Sequence, residues 1–153
     1  MNHPNWLTFD RESNSANDSP RVIIYINIRL SSLYFSLCKD IISHRDILLV
    51  SFFNNNDNFW FMNIYSDSSH LALKYLKDTE ANIQNLLIMT DNFINICDSS
   101  WDPSFPHHSS ISNDLIIVVD SFNLNLSSHT NQVLTRYSDT PGKSNSIINL
   151  MFL

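Results

Sequence analysis

Acid and amide side chains follow directly on a short apolar run near the middle of the chain. Residues 86–89 are Leu-Leu-Ile-Met, and residues 90–95 then bring Asp91, Asn92 and Asn95. Many α/β folds deliver oxygen ligands for a divalent cation to a cleft at the end of a buried strand. The pattern therefore predicts a short strand over 86–89 that ends in a polar loop capable of metal chemistry.

The composition predicts one folded domain and excludes two classes of nucleotide-binding protein. Of the 153 residues, 43% are hydrophobic and 12% aromatic, which is enough for a sizeable core. Gly142 is the single glycine. Because a P-loop and a dinucleotide-binding fingerprint both need several glycines, neither can be present.

Charge and cysteine content narrow the candidate partners and the compartment. The net charge is −6, and the nine Lys and Arg residues are spread along the chain, so there is no basic patch for nucleic acid. Two cysteines are too few for a disulfide framework. The start of the chain lacks a signal peptide, and no apolar run has membrane-spanning length. These features predict a soluble, intracellular protein with no membrane partner and leave nucleus or cytoplasm open.

Runs rich in β-branched residues predict strands over residues 22–28, 47–53 and 59–65. The Asn-rich residues 54–58 suit a hairpin turn between the second and third of these strands. Two further short strands are predicted over 135–137 and 147–153.

Two segments have the features of helices. After a cap at Ser68 or Ser69, apolar side chains recur at helical spacing as far as Ile83. Their face is formed by Ala72, Tyr75, Leu76, Thr79 and Ile83. A second helix is predicted from a cap at Ser112 to Phe122, although residues 116–119 would suit a strand equally well.

Strands interspersed with helices predict an α/β fold with a mixed sheet. Residues 1–20 are polar and are predicted to be a loop or loose end, which assigns residues 21–153 to the domain. The chain stops inside its last predicted strand, without a turn or polar tail. We therefore expect this domain to be incomplete.

Several segments, in their order and spacing, resemble the endonuclease/exonuclease/phosphatase family. The likeness is strongest to the endonuclease domain of fungal LINE-type (non-LTR) retrotransposon polyproteins, and it covers roughly residues 20–153. The matching segments are residues 63–66, 86–95, 99–103, 135–137 and 146–150.

This resemblance implies a fold, an activity, a cofactor and a partner. The fold is a four-layered α/β sandwich with mixed β-sheets, and the activity is DNA nicking by a metal-dependent phosphodiesterase. Mg²⁺ is the implied cofactor, with Mn²⁺ as the alternative ion, and DNA is the implied partner. In such chemistry the metal neutralises the phosphate while another group activates water.

The resemblance also implies roles for individual residues. Asn63 and Tyr65 match the family's Asn-x-Tyr element, in which the Tyr contacts the scissile phosphate. Asp91, Asn92 and Asn95 stand where the family has Gly-Asp-Phe-Asn. In that motif the Asp orients or deprotonates the attacking water, and the Asn helps to bind phosphate.

The chain departs from the family's motif in this segment. The motif glycine is missing, and one residue is inserted. An alignment on Phe93 puts Asn92 at the Asp position, where an amide cannot accept a proton. An alignment on Asp91 keeps the acid but displaces Asn95 by one residue, which on a strand moves it to the opposite face.

Other catalytic groups are also altered or missing. Asn149 replaces the Asp that supports the family's catalytic His, and that His would lie beyond Leu153. The metal-binding Glu and the first-strand Asn, expected before residue 20, are not recognisable. We therefore expect weak or absent activity, because catalytic groups that act together lose orders of magnitude when one is removed.

Alternatives to these roles follow from the residues alone. Tyr65 at a strand end would be a half-buried packing residue, and Asp91 would form an Asx turn. At the level of function, the alternatives are a non-catalytic α/β binding module and an unstable pseudogene fragment. The exposed edges of an incomplete sheet would favour self-association of such a module.

Overall fold

A computed structural model describes residues 4–10, 21–30, 34–54, 57–79, 83, 86–93, 110–125 and 149–152. These residues form seven strands, two α-helices and one 3₁₀ turn. The strands are β1 (Trp6–Phe9), β2 (Ile24–Asn27), β3 (Tyr34–Leu37), β4 (Ile47–Asn54), β5 (Asp57–Ser66), β6 (Leu86–Phe93) and β7 (Asn149–Phe152). The helices are α1 (Leu71–Asp78) and α2 (Ser110–Ser121), and the 3₁₀ turn is Ile28–Leu30.

The strands form two sheets, and the larger one is mixed. Its order is β3-β4-β5-β6-β7, in which β5 and β6 are parallel and the other neighbours are antiparallel. Helix α1 connects the parallel pair, as parallel strands require a crossover. Strands β1 and β2 form the second, antiparallel sheet. The predicted α/β fold with a mixed sheet is confirmed.

The side chains of β5 alternate between two hydrophobic clusters, one on each face of the sheet. Met62 and Ile64 are buried in the core that α1 and α2 cover. Phe61 and Tyr65, one position out of phase, pack into a second cluster with residues of β2 and β4. Because successive side chains of a strand point to opposite faces, the helices lie on one side of the sheet and β1–β2 on the other. The described residues thus supply three layers of the predicted four-layered sandwich.

Among the described residues, the two helices contribute six of the fifteen buried residues of one core. Their buried hydrophobic residues are Ala72, Leu73, Leu76, Leu115, Val118 and Val119. Between the helices, the Lys77 ammonium contacts the Asp114 carboxylate. Both groups are partly exposed, so this ion pair contributes little beside the apolar contacts.

The predicted capping of α1 by Ser68 or Ser69 is wrong. The helix begins after His70, which adopts a left-handed conformation with φ of 52° and makes no side-chain cap hydrogen bond. Ser69 is instead engaged in an Asx turn, because its backbone N–H and its hydroxyl both donate to the Asp67 carboxylate. The Ser69 hydroxyl therefore serves the turn that precedes the helix.

The far end of α1 also differs from the prediction. The helix ends at Asp78, and the following Thr79 is extended. Ile83 therefore lies outside the helix, although it is buried in the same core. The apolar periodicity identified core residues correctly but overstated the length of the helix.

Residues 116–119 lie inside α2, so the strand alternative for them is wrong. Ser112 does not cap this helix, since α2 begins at Ser110 and Ser112 is fully buried within it. A helix face that packs on the sheet outweighs the strand preference of Ile and Val here.

The predicted strands over 47–53 and 59–65 are confirmed as β4 and β5, and they pair as an antiparallel hairpin. The run at 22–28 forms β2 for four residues and then turns into the 3₁₀ segment. Strand β7 lies within the predicted 147–153. The predicted strand over 135–137 and the turn at Gly142 lie outside the described residues.

Two local predictions about polar segments are wrong. Residues 6–9 form β1, inside the stretch that we predicted to be a loop, because they pair with β2. The domain boundary at residue 20 stays a prediction.

Strand β6 continues through Phe93, so Thr90, Asp91 and Asn92 belong to a strand and not to a loop. Pairing with β5 and β7 on both sides supplies the hydrogen bonds that hold this polar stretch extended.

Neither helix in the described part of the chain has the length and hydrophobicity needed to cross a lipid bilayer.

Leu73 provides a direct test of the helix-side core. Its side chain is fully buried, whereas Leu71 on the same helix is 51% exposed. We expect Leu73→Ala to lower the free energy of unfolding by about 2–5 kcal/mol through lost contacts and a residual cavity. Leu71→Ala, the matched control, should change it by about 0.5 kcal/mol or less. Urea denaturation followed by circular dichroism measures both values, and equal effects would contradict this assignment of the core.

Candidate functional site

The backbone register places three of the predicted site residues in one row across the sheet. Tyr65 of β5 pairs with Asn92 of β6, and Asn92 pairs with Asn149 of β7. Neighbouring strands lie about 4.8 Å apart, so this row spans about 10 Å of the sheet. Three segments that are distant in sequence thus meet at the end of the parallel pair.

Asp91 lies in the adjacent row, where it pairs with Ile64 of β5 and Leu150 of β7. A β-bulge sets this register. Trp60 pairs with Leu86, but the next residue, Phe61, pairs with Ile88, so β6 contains one extra residue at this point relative to β5. Without that extra residue Asp91 would pair with Tyr65. The bulge thus determines that an amide residue and not an acid shares the Tyr65 row.

Asn63 lies two residues before Tyr65, on the same face of β5. Its side-chain amide donates to the backbone carbonyl of Ile23, at 3.4 Å, and so connects β5 to the segment that leads into β2. Asn95, the other predicted phosphate-binding residue, lies outside the described residues.

Tyr65 is half-buried, and its ring packs in the cluster formed with β2 and β4. Its backbone N–H donates to the carbonyl of Asp46 at 2.8 Å. The guanidinium carbon of Arg21 lies 4.8 Å from the centroid of the ring, within the range of a cation–π interaction. Tyr65 therefore has the packing role that its position in the sequence suggested, together with a cation on its ring.

The Arg21 network beside Tyr65 was not predicted from the sequence. Arg21 donates from Nε to Asp46 Oδ1 at 2.6 Å, from Nη2 to Asp46 Oδ2 at 2.5 Å, and from Nη1 to Asp67 Oδ2 at 2.8 Å. Asp46 is almost fully buried, at 2% exposure, whereas Arg21 and Asp67 are partly exposed. A buried carboxylate requires such a partner because an unpaired buried charge is very costly.

The network affects the ionisation of two of its members. The hydrogen bonds that Arg21 donates to Asp46 raise the pKa of Arg21 above its usual range, so the cation is permanent. The Ser69 hydroxyl and then the Arg21 guanidinium lower the pKa of Asp67 well below its usual range. The signal in the sequence was the position of Asp46, an acid that directly precedes the apolar residues 47–50.

His70 and Ser66 form a second polar contact nearby. The hydroxyl of Ser66 lies 3.1 Å from Nδ1 of His70. Burial, followed by the nearby Lys74, lowers the pKa of His70, while Asp67 acts in the opposite direction. Ser66 has no exposed surface, so its hydroxyl cannot reach a substrate. This pair fixes the turn between β5 and α1 and does not constitute a nucleophile with its base.

The residues of the row do not fit a tightly bound Mg²⁺ ion. Tyr65, Asn92 and Asn149 offer one phenol and two neutral amides, whereas Mg²⁺ sites use carboxylates. Throughout the described ranges, no three His, Cys, Asp or Glu side chains are grouped so that they could hold a metal ion. His107, His108 and Cys97 lie outside those ranges.

Neither any protein-family model nor any curated protein matches this sequence. Six chains of solved structures do match the fold. One is the endonuclease domain of TRAS1, a telomere-specific non-LTR retrotransposon, with a TM-score of 0.74 and 13% sequence identity. The alignment covers 98% of the present chain and 67% of that chain. The described chain therefore has an endonuclease-like fold.

The lowered pKa of His70 predicts a pH dependence of stability. Because the folded protein binds this proton less readily than the unfolded chain, the neutral imidazole contributes full stability above about pH 6.5, the unfolded pKa. That contribution should be lost as the pH falls from about 6.5 through the folded pKa. We expect His70→Asn, which also tolerates positive φ, to remove this part of the slope.

Urea denaturation between pH 8 and pH 5 measures the effect. Lys74→Met keeps the imidazole but removes the neighbouring cation, so it should reduce the slope only in part. Identical pH profiles for the wild type and His70→Asn would show that His70 does not contribute.

Proposed function

We propose that this chain is an endonuclease-like domain of retrotransposon origin that retains the strand scaffold for a DNA phosphodiester but nicks DNA weakly or not at all. The observation that carries the proposal is the row formed by Tyr65, Asn92 and Asn149. It brings together segments whose motifs resemble those of the endonuclease/exonuclease/phosphatase family. The endonuclease-like fold supports the same conclusion.

The chemistry of this row supports the weak or absent activity that we propose. The residue in register with Tyr65 is Asn92, and an amide cannot take a proton from water at neutral pH. Asn149, the next residue of the row, is also neutral, so it cannot stabilise a positively charged histidine as a carboxylate would. Asp91 retains an acid in the adjacent row, beside Ile64 and Leu150.

The proposed cofactor is Mg²⁺, with Mn²⁺ as the alternative, bound weakly by the unaltered chain. A neutral row offers these hard cations little charge to replace their water ligands. An acid at position 92 would add one carboxylate in register with Tyr65 and should strengthen binding.

The proposed partner, DNA, would also be held weakly. The chain carries a net charge of −6. Two of its cations are already engaged, since Arg21 pairs with Asp46 and Asp67, and Lys77 contacts Asp114. The net negative charge opposes binding to a polyanion, so affinity should be low and sensitive to salt.

Nicking of supercoiled plasmid with Mg²⁺ tests the proposal. We expect the wild type to nick slowly or not at all, and Asn92→Asp to raise the rate about tenfold or more, because it restores a proton acceptor to the row. Tyr65→Phe in the Asn92→Asp background should lower the rate again. Asp91→Asn is the matched control, since it removes an acid from the adjacent row and should leave the rate unchanged.

Two results would contradict this proposal. Robust nicking by the wild type that is abolished by a chelator and by Tyr65→Phe would show that the domain is an active enzyme. Loss of residual nicking in Asp91→Asn, with no gain in Asn92→Asp, would show that Asp91 supplies the acid. Parallel reactions with Mn²⁺ establish whether the choice of ion changes either outcome.

A non-catalytic binding module is the second candidate function, and an apolar groove favours it. The groove has a volume of about 230 Å³ and lies between β2 and the larger sheet. Its lining residues are Ile24, Tyr25, Ile26, Leu30, Phe35, Val50, Phe52 and Phe61. Tyr25 is 59% exposed and Tyr34, on β3, is 79% exposed. An apolar groove with a large exposed aromatic residue such as Tyr25 in its lining is typical of interaction surfaces.

The partner that we propose for the binding module is a second copy of this chain, which would bind through this region. Among the described strands, β3 lies at the end of the five-stranded sheet, and an edge strand favours pairing with a second copy. Size-exclusion chromatography with light scattering should then show a defined dimer, and Tyr34→Lys should shift it to the monomer because a charge on an edge strand opposes pairing. A monomer at all concentrations would contradict the module in this form.

A further inference from the structure

Arg21 is held in one orientation by carboxylates on two of its edges. Asp46 accepts from Nε and Nη2, which is the bidentate geometry that fits a guanidinium best. Asp67 accepts from Nη1. Three hydrogen bonds from two segments of the chain therefore fix both the position and the plane of the guanidinium.

The same network fixes Tyr65. The guanidinium lies over the face of its ring, with 4.8 Å between the guanidinium carbon and the ring centroid. Asp46 also accepts the backbone N–H of Tyr65, at 2.8 Å. One residue, Asp46, thus anchors both the backbone of Tyr65 and the cation that packs on its ring.

We propose that Arg21 is a positioning residue for Tyr65, which holds the phenol in a fixed orientation at the edge of the row that includes Asn92 and Asn149. The functional part of this inference rests on the proposed function, in which Tyr65 contacts a phosphodiester. The geometric part, that Arg21 sets the environment and orientation of the ring, stands independently.

A direct contact between Arg21 and phosphate is the main competing role for this cation. The network opposes it, because the Asp46 and Asp67 carboxylates already pair with this guanidinium and would repel an approaching phosphate. Three hydrogen bonds also occupy three of the five N–H donors of the guanidinium, including the Nε–Nη2 edge that best fits a bidentate contact. Arg21 therefore acts through Tyr65 and does not bind the substrate.

Fluorine NMR of the protein labelled with fluorotyrosine tests the geometric part. The chain has five tyrosines, and the spectrum of Tyr65→Phe identifies the signal of Tyr65. Arg21→Met alone would leave the buried Asp46 carboxylate with only the more distant Arg45 guanidinium, whose Nε lies 3.7 Å away, and would endanger folding. The informative variant is therefore Arg21→Met combined with Asp46→Asn, which removes both charges and keeps the backbone carbonyl that Tyr65 uses.

We expect the Tyr65 signal to shift in this double variant, while the other tyrosine signals change much less. Asp46→Asn alone retains Arg21 and should give a smaller shift. Arg29→Met removes a cation from the neighbouring 3₁₀ segment and should leave the Tyr65 signal in place. Arg21→Lys keeps the charge but loses the planar fork, so it should also move the signal.

A second readout connects the geometry to activity. In the Asn92→Asp background, Arg21→Met with Asp46→Asn should lower the turnover number for nicking about as much as Tyr65→Phe does, with little change in KM. Adding Tyr65→Phe to that variant should then cause no further loss, because both changes remove the same interaction. Additive losses would show that Arg21 acts independently of Tyr65 and would overturn the functional part.

The two parts can fail separately. If Asn92→Asp gives no nicking, the proposed function fails, but the NMR comparison still decides the geometric part. An unchanged Tyr65 signal in a double variant that unfolds cooperatively in urea would overturn the positioning role. Should the double variant not fold, Asp67→Asn leaves the buried pair intact and releases only Nη1. A small shift of the Tyr65 signal in this variant supports the role, and no shift overturns it.

Discussion

The pairing of β5 with its neighbours is the constraint on which the rest of this fold depends. β5 lies at the centre of the five-stranded sheet and contributes alternate residues to both hydrophobic layers. A shift of one residue in this pairing exchanges the two faces of a strand, so the apolar pattern fixes the register strongly. The bulge opposite Trp60 and Phe61 then adjusts β6 by one residue before it reaches the polar segment. Packing requirements in the middle of the sheet thereby determine which polar residue stands beside Tyr65 at its end.

The ion pair between Arg21 and Asp46 connects this register to the second sheet. Asp46 precedes the buried start of β4, and its carbonyl accepts the backbone N–H of Tyr65. Arg21 lies just before β2, so its contact with Asp46 joins the two layers across one interface. Removal of one partner from a buried pair costs about 3 kcal/mol or more, which is a large part of the stability of a small domain. The polar network therefore specifies the alignment of the layers, while apolar burial supplies most of their cohesion.

Sequence patterns predicted the fold best where one local signal dominates. The apolar runs of β4 and β5 and the Asn-rich turn between them gave the central hairpin, and helical spacing identified Leu76 as core. The polar end of β6 was predicted as a loop because Asp and Asn disfavour strands, yet pairing on both sides outweighs that preference. The contact between Arg21 and Asp46 spans 25 residues and leaves no periodic signal. For the candidate site, motif spacing indicated the participating segments, but only the register distinguishes Asn92 from Asp91 as the neighbour of Tyr65.

The fold and the chemistry of the row depend on different residues, which explains how one can persist while the other is lost. The core residues of β4, β5 and the helices are buried and apolar, so their replacement is costly. Carboxylates grouped at a catalytic site repel one another and reduce stability, and a change from Asp to Asn relieves that repulsion without altering the shape of the side chain. An amide at Asn92 or Asn149 is therefore compatible with the strand pairing that surrounds it. A domain under selection for folding alone would retain Tyr65 as a packing residue beneath Arg21 and would tolerate amides at positions 92 and 149.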